Sequence, residues 1–190
     1  MTTIVAVKKN GFGVIAADTL TIWGNTKESA EHIANPSKIV RAGDNFFGLT
    51  GSSANPHVMT HWLASLKRLP SLGTADAIFD LLLEFHSSLK DRYFIREYDD
   101  ERDQFESSRF NFVLVNPYGV FSVTSLRAVT EYKKFTSIGS GCDYALGAMQ
   151  AVYDDPSLSA AEIASIGIKV AVEFDDGSGF PMELQEVSLK

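Results

Sequence analysis

The chain has 190 residues, 45% of them hydrophobic and 22% charged, which suits one globular domain over residues 1–190 with a sizeable core. The formal net charge of −7 argues against nucleic acid and anionic membranes as partners. The single cysteine, Cys142, cannot form an internal disulfide, and neither a membrane-spanning apolar run nor a signal-peptide pattern is visible. We therefore expect a cytoplasmic protein.

The first half of the chain combines hairpin signals with helix signals. Asn10-Gly11 lies between two apolar runs, which is typical of a tight β-hairpin. A second hairpin turns around Gly43-Asp44-Asn45, and Thr74 is suited to N-cap the second of two amphipathic helices. The predicted strands are 3–8, 12–18, 38–41 and 46–50, and the apolar helix stripes are Val58, Trp62, Leu66 and Leu69, then Ile78, Leu82, Phe85, Leu89 and Tyr93.

The second half again has strands followed by helices. The mixed-charge run 96–109 is interpreted as a solvated helix end and loop without a function. Runs of strands that alternate with pairs of helices predict stacked sheets covered by helix layers. The predicted segments are strands 110–115, 119–125 and 128–138, helices 142–153 (apolar Ala145, Ala148, Val152) and 159–174 (apolar Ile163, Ile166, Val170, Phe174), and a last strand 183–189.

Thr2 is the residue with the most functional information. It follows Met1 directly and begins the first predicted strand. Initiator methionine is usually removed before a small residue, so we expect the mature chain to begin with a free α-amine and a hydroxyl on one residue. That pair is a nucleophile with a built-in base. If Met1 is retained, the amine is blocked.

Six short motifs occur in a fixed order along the chain. They are Thr2-Thr3-Ile4-Val5, Gly13-Val14-Ile15-Ala16-Ala17-Asp18, Pro36-Ser37-Lys38-Ile39, Gly48-Leu49-Thr50-Gly51, Ile138-Gly139-Ser140-Gly141 and Asp175-Asp176-Gly177-Ser178-Gly179. With these motifs the chain resembles proteasome β-type subunits and HslV, which are N-terminal nucleophile hydrolases, and in particular the β-proteobacterial proteasome homologues. The resemblance implies an α+β fold, a four-layer αββα sandwich, and a threonine-type endopeptidase.

The resemblance also implies catalytic roles. Thr2 would attack the peptide carbonyl, and Asp18 would orient Lys38 beside it. A charged Lys38 would lower the pKa of nearby groups. A neutral Lys38 could instead take the Oγ proton in place of the α-amine, and both roles stay open. The backbone N–H of Gly51 would stabilise the oxyanion, where a preorganised donor is worth ~3–4 kcal/mol.

A second group would hold the α-amine. By resemblance it comprises Ser140, Asp175 and Ser178. Asp176 competes with Asp175 for this role, and the Asp-x-x-Ser spacing to Ser178 favours Asp175.

Peptide substrate is expected to bind as an extended strand. The resemblance assigns this contact to Thr21, Ile22 and the neighbouring Trp23 on one side and to 51–53 on the other. Leu49 and Ser53 would line the first specificity pocket. Ile22 stands where many relatives have threonine, so this chain lacks a side-chain hydrogen bond there.

Other polar residues receive structural interpretations. His57 and His61 are four apart on a predicted helix, but the zinc-peptidase glutamate is absent and no third ligand is evident. Cys142 is interpreted as a small residue at a helix start. We predict neither a metal nor a cofactor.

The resemblance implies assembly into stacked homo-oligomeric rings of six or seven subunits, with a double ring of seven preferred. Unfolded polypeptide would be the substrate and a regulatory ATPase a possible partner. One alternative is a noncatalytic or latent ring scaffold, which the presence of Thr2, Asp18 and Lys38 disfavours. Another is hydrolysis of a small-molecule amide on the same fold.

Overall fold

The computed structural model describes residues 2–96 and 104–190, and within them it has eleven strands and four helices. The strands are β1 (Thr3–Lys9), β2 (Phe12–Asp18), β3 (Thr21–Trp23), β4 (Thr26–Glu28), β5 (Ile39–Ala42), β6 (Asn45–Thr50), β7 (Asn111–Asn116), β8 (Gly119–Val123), β9 (Val129–Tyr132), β10 (Phe135–Gly139) and β11 (Met182–Ser188). The helices are α1 (Asn55–Ser65), α2 (Ala75–Asp91), α3 (Cys142–Val152) and α4 (Ala160–Phe174). No helix of the described ranges is long and apolar enough to cross a membrane.

Two antiparallel sheets lie at the centre. One has the strand order β10-β1-β2-β11 and the other the order β5-β6-β7-β8-β9, while β3 and β4 form a separate ribbon. Asn10 and Gly11 have φ values of 51° and 81°, as the mirror-image hairpin turn requires. This turn sets the β1–β2 register, in which Val7 lies opposite Val14. The first predicted hairpin is therefore confirmed.

Three apolar clusters separate the layers, and they confirm the predicted four-layer αββα sandwich. Alternate residues of β1 point to opposite faces: Ile4 and Ala6 pack between the sheets, whereas Val5 and Val7 pack under α3 and α4. The helices α1 and α2 cover the five-stranded sheet through larger side chains. The bulkiest buried members of that cluster are Trp62, Phe47, Phe85, Phe110, Phe112 and Phe121.

Two predictions about strands were wrong. The segment 128–138 is two strands, because the chain leaves the five-stranded sheet after β9 and enters the four-stranded sheet as β10. Its sequence has no glycine or proline to signal that crossing. No strand was predicted in the stretch 19–37, but it contains the ribbon of β3 and β4, which turns at Gly24 with a φ of 58°.

The predicted helix faces needed corrections. Leu66, Leu69 and Tyr93 lie beyond the ends of α1 and α2, although all three pack against the core. Thr74 is the N-cap of α2, as predicted, and accepts the backbone N–H of Ala77 at 3.2 Å. Part of the run 96–109, residues 97–103, lies outside the described residues.

The buried face of α4 differs most from its predicted stripe. Phe174 is 65% exposed, and small residues such as Gly167 face the sheet. A Cβ on Gly167 would stand 3.0 Å from Met149. Close approach of this helix to α3 and β1 therefore favours small side chains at several buried positions. Ile163 of the predicted stripe is buried, whereas Ile166 and Val170 are only partly buried. The buried residues are Ala160, Ile163, Ala164, Gly167, Ile168 and Ala171, and on α3 they are Ala145 and Met149.

Candidate functional site

Thr2 lies at the start of the central strand β1, where it is 6% exposed. Strand β10 flanks β1 on one side, with Gly139 opposite Thr3. Strand β2 flanks it on the other side and ends at Asp18, one residue beyond the pair of Ile4 with Ala17. The ends of three neighbouring strands therefore bring Thr2, Asp18 and the segment after Gly139 together.

The backbone nitrogen of Thr2 is held by Ser140. It donates a hydrogen bond to Ser140 Oγ at 3.1 Å, and this hydroxyl donates to Asp175 Oδ2 at 2.8 Å. Gly139 has a φ of 105°, and a Cβ there would overlap the carbonyl oxygen of Thr2. Only glycine fits that position. In the unprocessed sequence this nitrogen belongs to the peptide bond with Met1, and removal of Met1 converts it to the α-amine.

A second hydroxyl reaches the same carboxylate. Ser178, which is 4% exposed, donates to Asp175 Oδ2 at 2.7 Å. Since its proton is then used, Thr3 Oγ1 is the donor in the 2.7 Å contact with Ser178 Oγ. Asp175 caps the C-terminal end of α4, while Asp176 points to solvent as an exposed residue. The structure thus places Asp175, not Asp176, in the network.

Asp18 is fully buried and fully paired. Its Oδ1 accepts the backbone N–H of Thr3 at 2.9 Å and Lys38 Nζ at 2.8 Å. Its Oδ2 accepts the backbone N–H groups of Leu20 and Gly179, both at 3.1 Å. Four donors around one carboxylate offset the cost of removing its charge from water.

Lys38 comes from the other sheet, where it stands immediately before β5. Its carbonyl oxygen accepts the N–H of Leu49 at 2.9 Å, and its side chain is 12% exposed. Burial lowers the pKa of the Lys38 ammonium, against the opposing attraction of Asp18. A lysine in this state gives up a proton more readily than one in water.

The network is continuous from the Thr2 nitrogen to the Lys38 ammonium. It runs from Thr2 through Ser140 to Asp175, then through Ser178 to Thr3, and from the Thr3 N–H through Asp18 to Lys38. The contacts are Thr2–Ser140, Ser140–Asp175, Asp175–Ser178, Ser178–Thr3, Thr3–Asp18 and Asp18–Lys38.

The residues expected to touch substrate lie outside this network. Gly51 follows β6 with a φ of 97°. Thr21 and Ile22 are half-buried on β3, and Ser53 is exposed beyond β6. In the described part of the chain no side-chain hydrogen bond joins these four residues to Thr2. Leu49 is 3% exposed and packs into the core beside α1.

Glu183 and Thr3 are site residues that the sequence reasoning missed. Glu183 Oε1 accepts the N–H of Lys38 at 2.6 Å and that of Ile39 at 3.1 Å. Burial raises the pKa of the Glu183 carboxyl, against the opposing effect of its hydrogen bonds from Ser37, Lys38 and Ile39. The available signal was an acidic residue between apolar Met182 and Leu184 in a strand close after the Ser178 motif.

The other polar candidates have local contacts. His57 Nε2 lies 3.5 Å from Asn35 Nδ2, and His61 Nδ1 lies 2.8 Å from Tyr93 OH. Burial and the nearby Asp143 raise the pKa of the Cys142 thiol, which favours the unreactive thiol form. Within residues 2–96 and 104–190, no group of three His, Cys, Asp or Glu side chains could hold a metal ion.

The chain belongs to the proteasome subunit family, because the "Proteasome subunit" family model matches residues 1–187. It is 31% identical over 179 residues to the ATP-dependent protease subunit HslV of Caulobacter sp. (strain K31), covering 90% of this chain and 86% of that protein. This membership makes the chain a proteasome β-type or HslV-like N-terminal nucleophile hydrolase, as the motifs predicted.

Solved structures agree with this assignment. Thiobacillus denitrificans BPH in complex with epoxomicin is 41% identical, with a TM-score of 0.94 and complete coverage of both chains. HslV from Trypanosoma brucei is 20% identical with a TM-score of 0.72, covering 98% of this chain and 99% of that one. At that lower identity the likeness supports the fold alone.

Proposed function

We propose that the chain is a self-compartmentalising threonine-type endopeptidase whose nucleophile is Thr2 after removal of Met1. The observation that carries this proposal is the continuous network from the Thr2 nitrogen to the Lys38 ammonium. A polar network of this length, in which Thr3, Asp18 and Ser178 are buried at the end of an apolar strand, is costly to build for structure alone. Membership of a family of proteases supports the reaction class.

The proposed reaction begins with the free α-amine of Thr2. Thr2 Oγ attacks the peptide carbonyl carbon while its proton passes to a base, either the α-amine or a neutral Lys38. The Gly51 backbone N–H stabilises the oxyanion. Collapse of the tetrahedral intermediate breaks the C–N bond, and the leaving amine takes the proton from that base. Water then hydrolyses the acyl ester and restores the Thr2 hydroxyl.

The other network residues hold the α-amine and Lys38 in place. Ser140 accepts from the Thr2 nitrogen, and Asp175 holds the Ser140 and Ser178 hydroxyls. Asp18 fixes the position of the Lys38 ammonium. In the proposed arrangement the Lys38 cation lies beside the hydroxyl and amine of Thr2, where it would favour their deprotonated forms and activate the nucleophile near neutral pH.

We propose unfolded polypeptide as the substrate, bound as an extended strand. Main-chain contacts would come from Thr21, Ile22 and the segment 51–53, with Leu49 and Ser53 at the first side-chain pocket. Stacked homo-oligomeric rings, six- or seven-fold with seven preferred, would enclose the sites in the cytoplasm. The relative in Caulobacter is an ATP-dependent protease subunit, which supports a partner ATPase.

Intact mass before and after an epoxyketone peptide tests this function. The reagent needs both the hydroxyl and the free amine of an N-terminal threonine, and a protein 41% identical has been solved with epoxomicin. The expected result is loss of Met1, one adduct per chain and hydrolysis of a fluorogenic peptide. The control is Thr2→Ala, which removes the nucleophilic hydroxyl and should fold but give no adduct and no hydrolysis.

Two results would contradict the proposal. Loss of Met1 with neither an adduct nor hydrolysis would indicate a noncatalytic scaffold or an excluded substrate. Hydrolysis that survives in Thr2→Ala would place the nucleophile elsewhere. If Met1 is retained, the same assay is repeated after treatment with methionine aminopeptidase, and only an adduct that then forms supports a latent precursor.

A further inference from the structure

Two edge strands, one from each sheet, approach each other close to the site. Strand β11 is an edge strand of the four-stranded sheet, and β5 is an edge strand of the five-stranded sheet. An edge strand leaves backbone N–H groups without a partner strand on one side. Here a single side chain from β11, Glu183, reaches the beginning of β5.

Glu183 accepts three hydrogen bonds from three consecutive residues. Its Oε1 takes the N–H groups of Lys38 and Ile39, at 2.6 and 3.1 Å. Its Oε2 accepts from Ser37 Oγ at 2.6 Å. Bonds to an ionised acceptor are shorter and stronger than neutral ones. The carboxylate therefore fixes the backbone of the segment 37–39 relative to β11.

This anchoring holds Lys38 at two points. Glu183 binds its backbone, and Asp18 binds its ammonium at 2.8 Å. The two carboxylates come from neighbouring strands, because Met182 lies opposite Asp18 and Glu183 opposite Ala17. The paired strands β2 and β11 thus determine both where the chain enters β5 and where the Lys38 ammonium lies.

We propose that Glu183 is a positioning residue for the peptidase reaction, which anchors Lys38 by its backbone and adds a second negative charge beside it. The inference rests on the proposed function, in which Lys38 activates Thr2. The charged groups that act on Lys38 are Asp18 from β2, Glu183 from β11 and Asp175 from the end of α4. Removal of one negative charge from this set makes the ammonium easier to deprotonate.

The test compares Glu183→Gln with Glu186→Gln in the assembled, processed protein. Glutamine keeps the shape and one acceptor oxygen but removes the charge, and Glu186 is an exposed residue of the same strand. The first readout is the rate at which Lys38 is acetylated, measured against pH by competitive labelling and mass spectrometry. The midpoint should move to lower pH in E183Q and stay in place in E186Q. This readout does not require peptidase activity.

The second readout is peptide hydrolysis. E183Q should lose about 10-fold in kcat/KM, mainly in kcat, since small displacements of a catalytic group have effects of this order or larger. The limb of the pH profile that depends on Lys38 should move to lower pH. A shift of the acid limb would indicate that neutral Lys38 is the base, and a shift of the alkaline limb that its charged form is needed.

The outcomes separate the two proposals. A wild-type protein without activity, in which E183Q still shifts the Lys38 midpoint, contradicts the peptidase function but supports the anchor. An active wild type in which E183Q matches E186Q in midpoint and kcat overturns the Glu183 inference. Ser37→Ala removes one hydrogen bond without a charge and should lower kcat slightly with the midpoint unchanged. If E183Q does not fold, Glu183→Asp is used instead, because it keeps the charge but moves the carboxylate away from the backbone of residues 37–39. An unchanged kcat in Glu183→Asp also overturns the inference.

Discussion

The two sheets contribute to the site in different ways. The four-stranded sheet carries Thr2 and Asp18 on its central strands, and its helix layer packs through small residues such as Ala164 and Gly167. The five-stranded sheet contributes Lys38, and the proposed oxyanion donor Gly51, only from segments outside its strands, and its helix layer is rich in aromatic residues. Hydrogen-bond geometry at the site thus depends on close backbone approach in the half with the four-stranded sheet. The half with the five-stranded sheet buries most of the bulky apolar side chains.

The contact between the sheets shows how closely the halves are joined. A Cβ on Gly48 of β6 would stand 2.7 Å from Ile4 Cγ2 and 2.8 Å from Ile15 Cδ1. The strand that leads to Gly51 therefore lies directly against the strand that carries Thr2. Because interiors are packed to crystal-like density, the position of one sheet restricts that of the other.

The largest expected effect is a loss of stability in the aromatic core between the five-stranded sheet and the helices α1 and α2. Phe85 is 1% exposed, and its ring centroid lies 4.6 Å from that of Trp62 and 5.0 Å from that of Phe110. Phe85→Ala should lower the free energy of unfolding by about 3–5 kcal/mol, because the cavity cannot close fully. Chemical denaturation measures this loss, with Phe85→Leu as the milder control. A large fall in kcat per folded molecule would contradict the view that the aromatic layer stabilises the fold without shaping the site.

The second prediction tests the hydroxyl network. Ser178→Ala removes the link between Thr3 and Asp175 and leaves the Thr3 hydroxyl, in a fully buried residue, without that partner. A buried unsatisfied group costs ~1–3 kcal/mol, and kcat should fall about 10- to 100-fold if that loss reaches the transition state.

Serine-to-alanine substitution at Ser157 is the matched control, since that residue is exposed on a loop. Steady-state kinetics with a fluorogenic peptide give the comparison. Equal kcat values for the two variants would show that the Ser178 hydroxyl only stabilises the fold.

The smallest expected effect is a change in stability that tests how closely α3 and α4 pack. A Cβ added to Gly147 on α3 would have no atom within 4 Å, whereas a Cβ added to Gly167 on α4 would lie 3.0 Å from Met149. Gly147→Ala should raise the free energy of unfolding by ~0.5–1 kcal/mol through helix propensity and chain entropy. Gly167→Ala should give less or become destabilising. Equal gains in thermal denaturation would show that α3 and α4 are not tightly packed.

Local patterns predicted much of the fold. The hairpin at Asn10-Gly11, the N-cap Thr74 and the general positions of the four helices follow from residues close in sequence, and the structure confirms them. The stripe on α4 was correct at Ile163 but wrong at Phe174, and it missed the small buried residues, because periodicity gives a helix face but not the distance to the neighbouring element. The division of 128–138 was missed because the switch between sheets depends on which edges are free, and those edges are formed by distant strands.

The sequence by itself determined the nucleophile candidate and the motifs that led to the family. The resemblance carried by those motifs implied that Thr2, Asp18, Lys38, Ser140, Asp175 and Ser178 share one site. The Asp-x-x-Ser spacing favoured Asp175 over Asp176, and the structure shows the contacts of Asp175 with Ser140 and Ser178. Only the tertiary structure decided that Glu183 binds the segment 37–39. Hydrogen bonds between residues 145 apart in sequence arise from strand register and sheet edges, which no local pattern specifies.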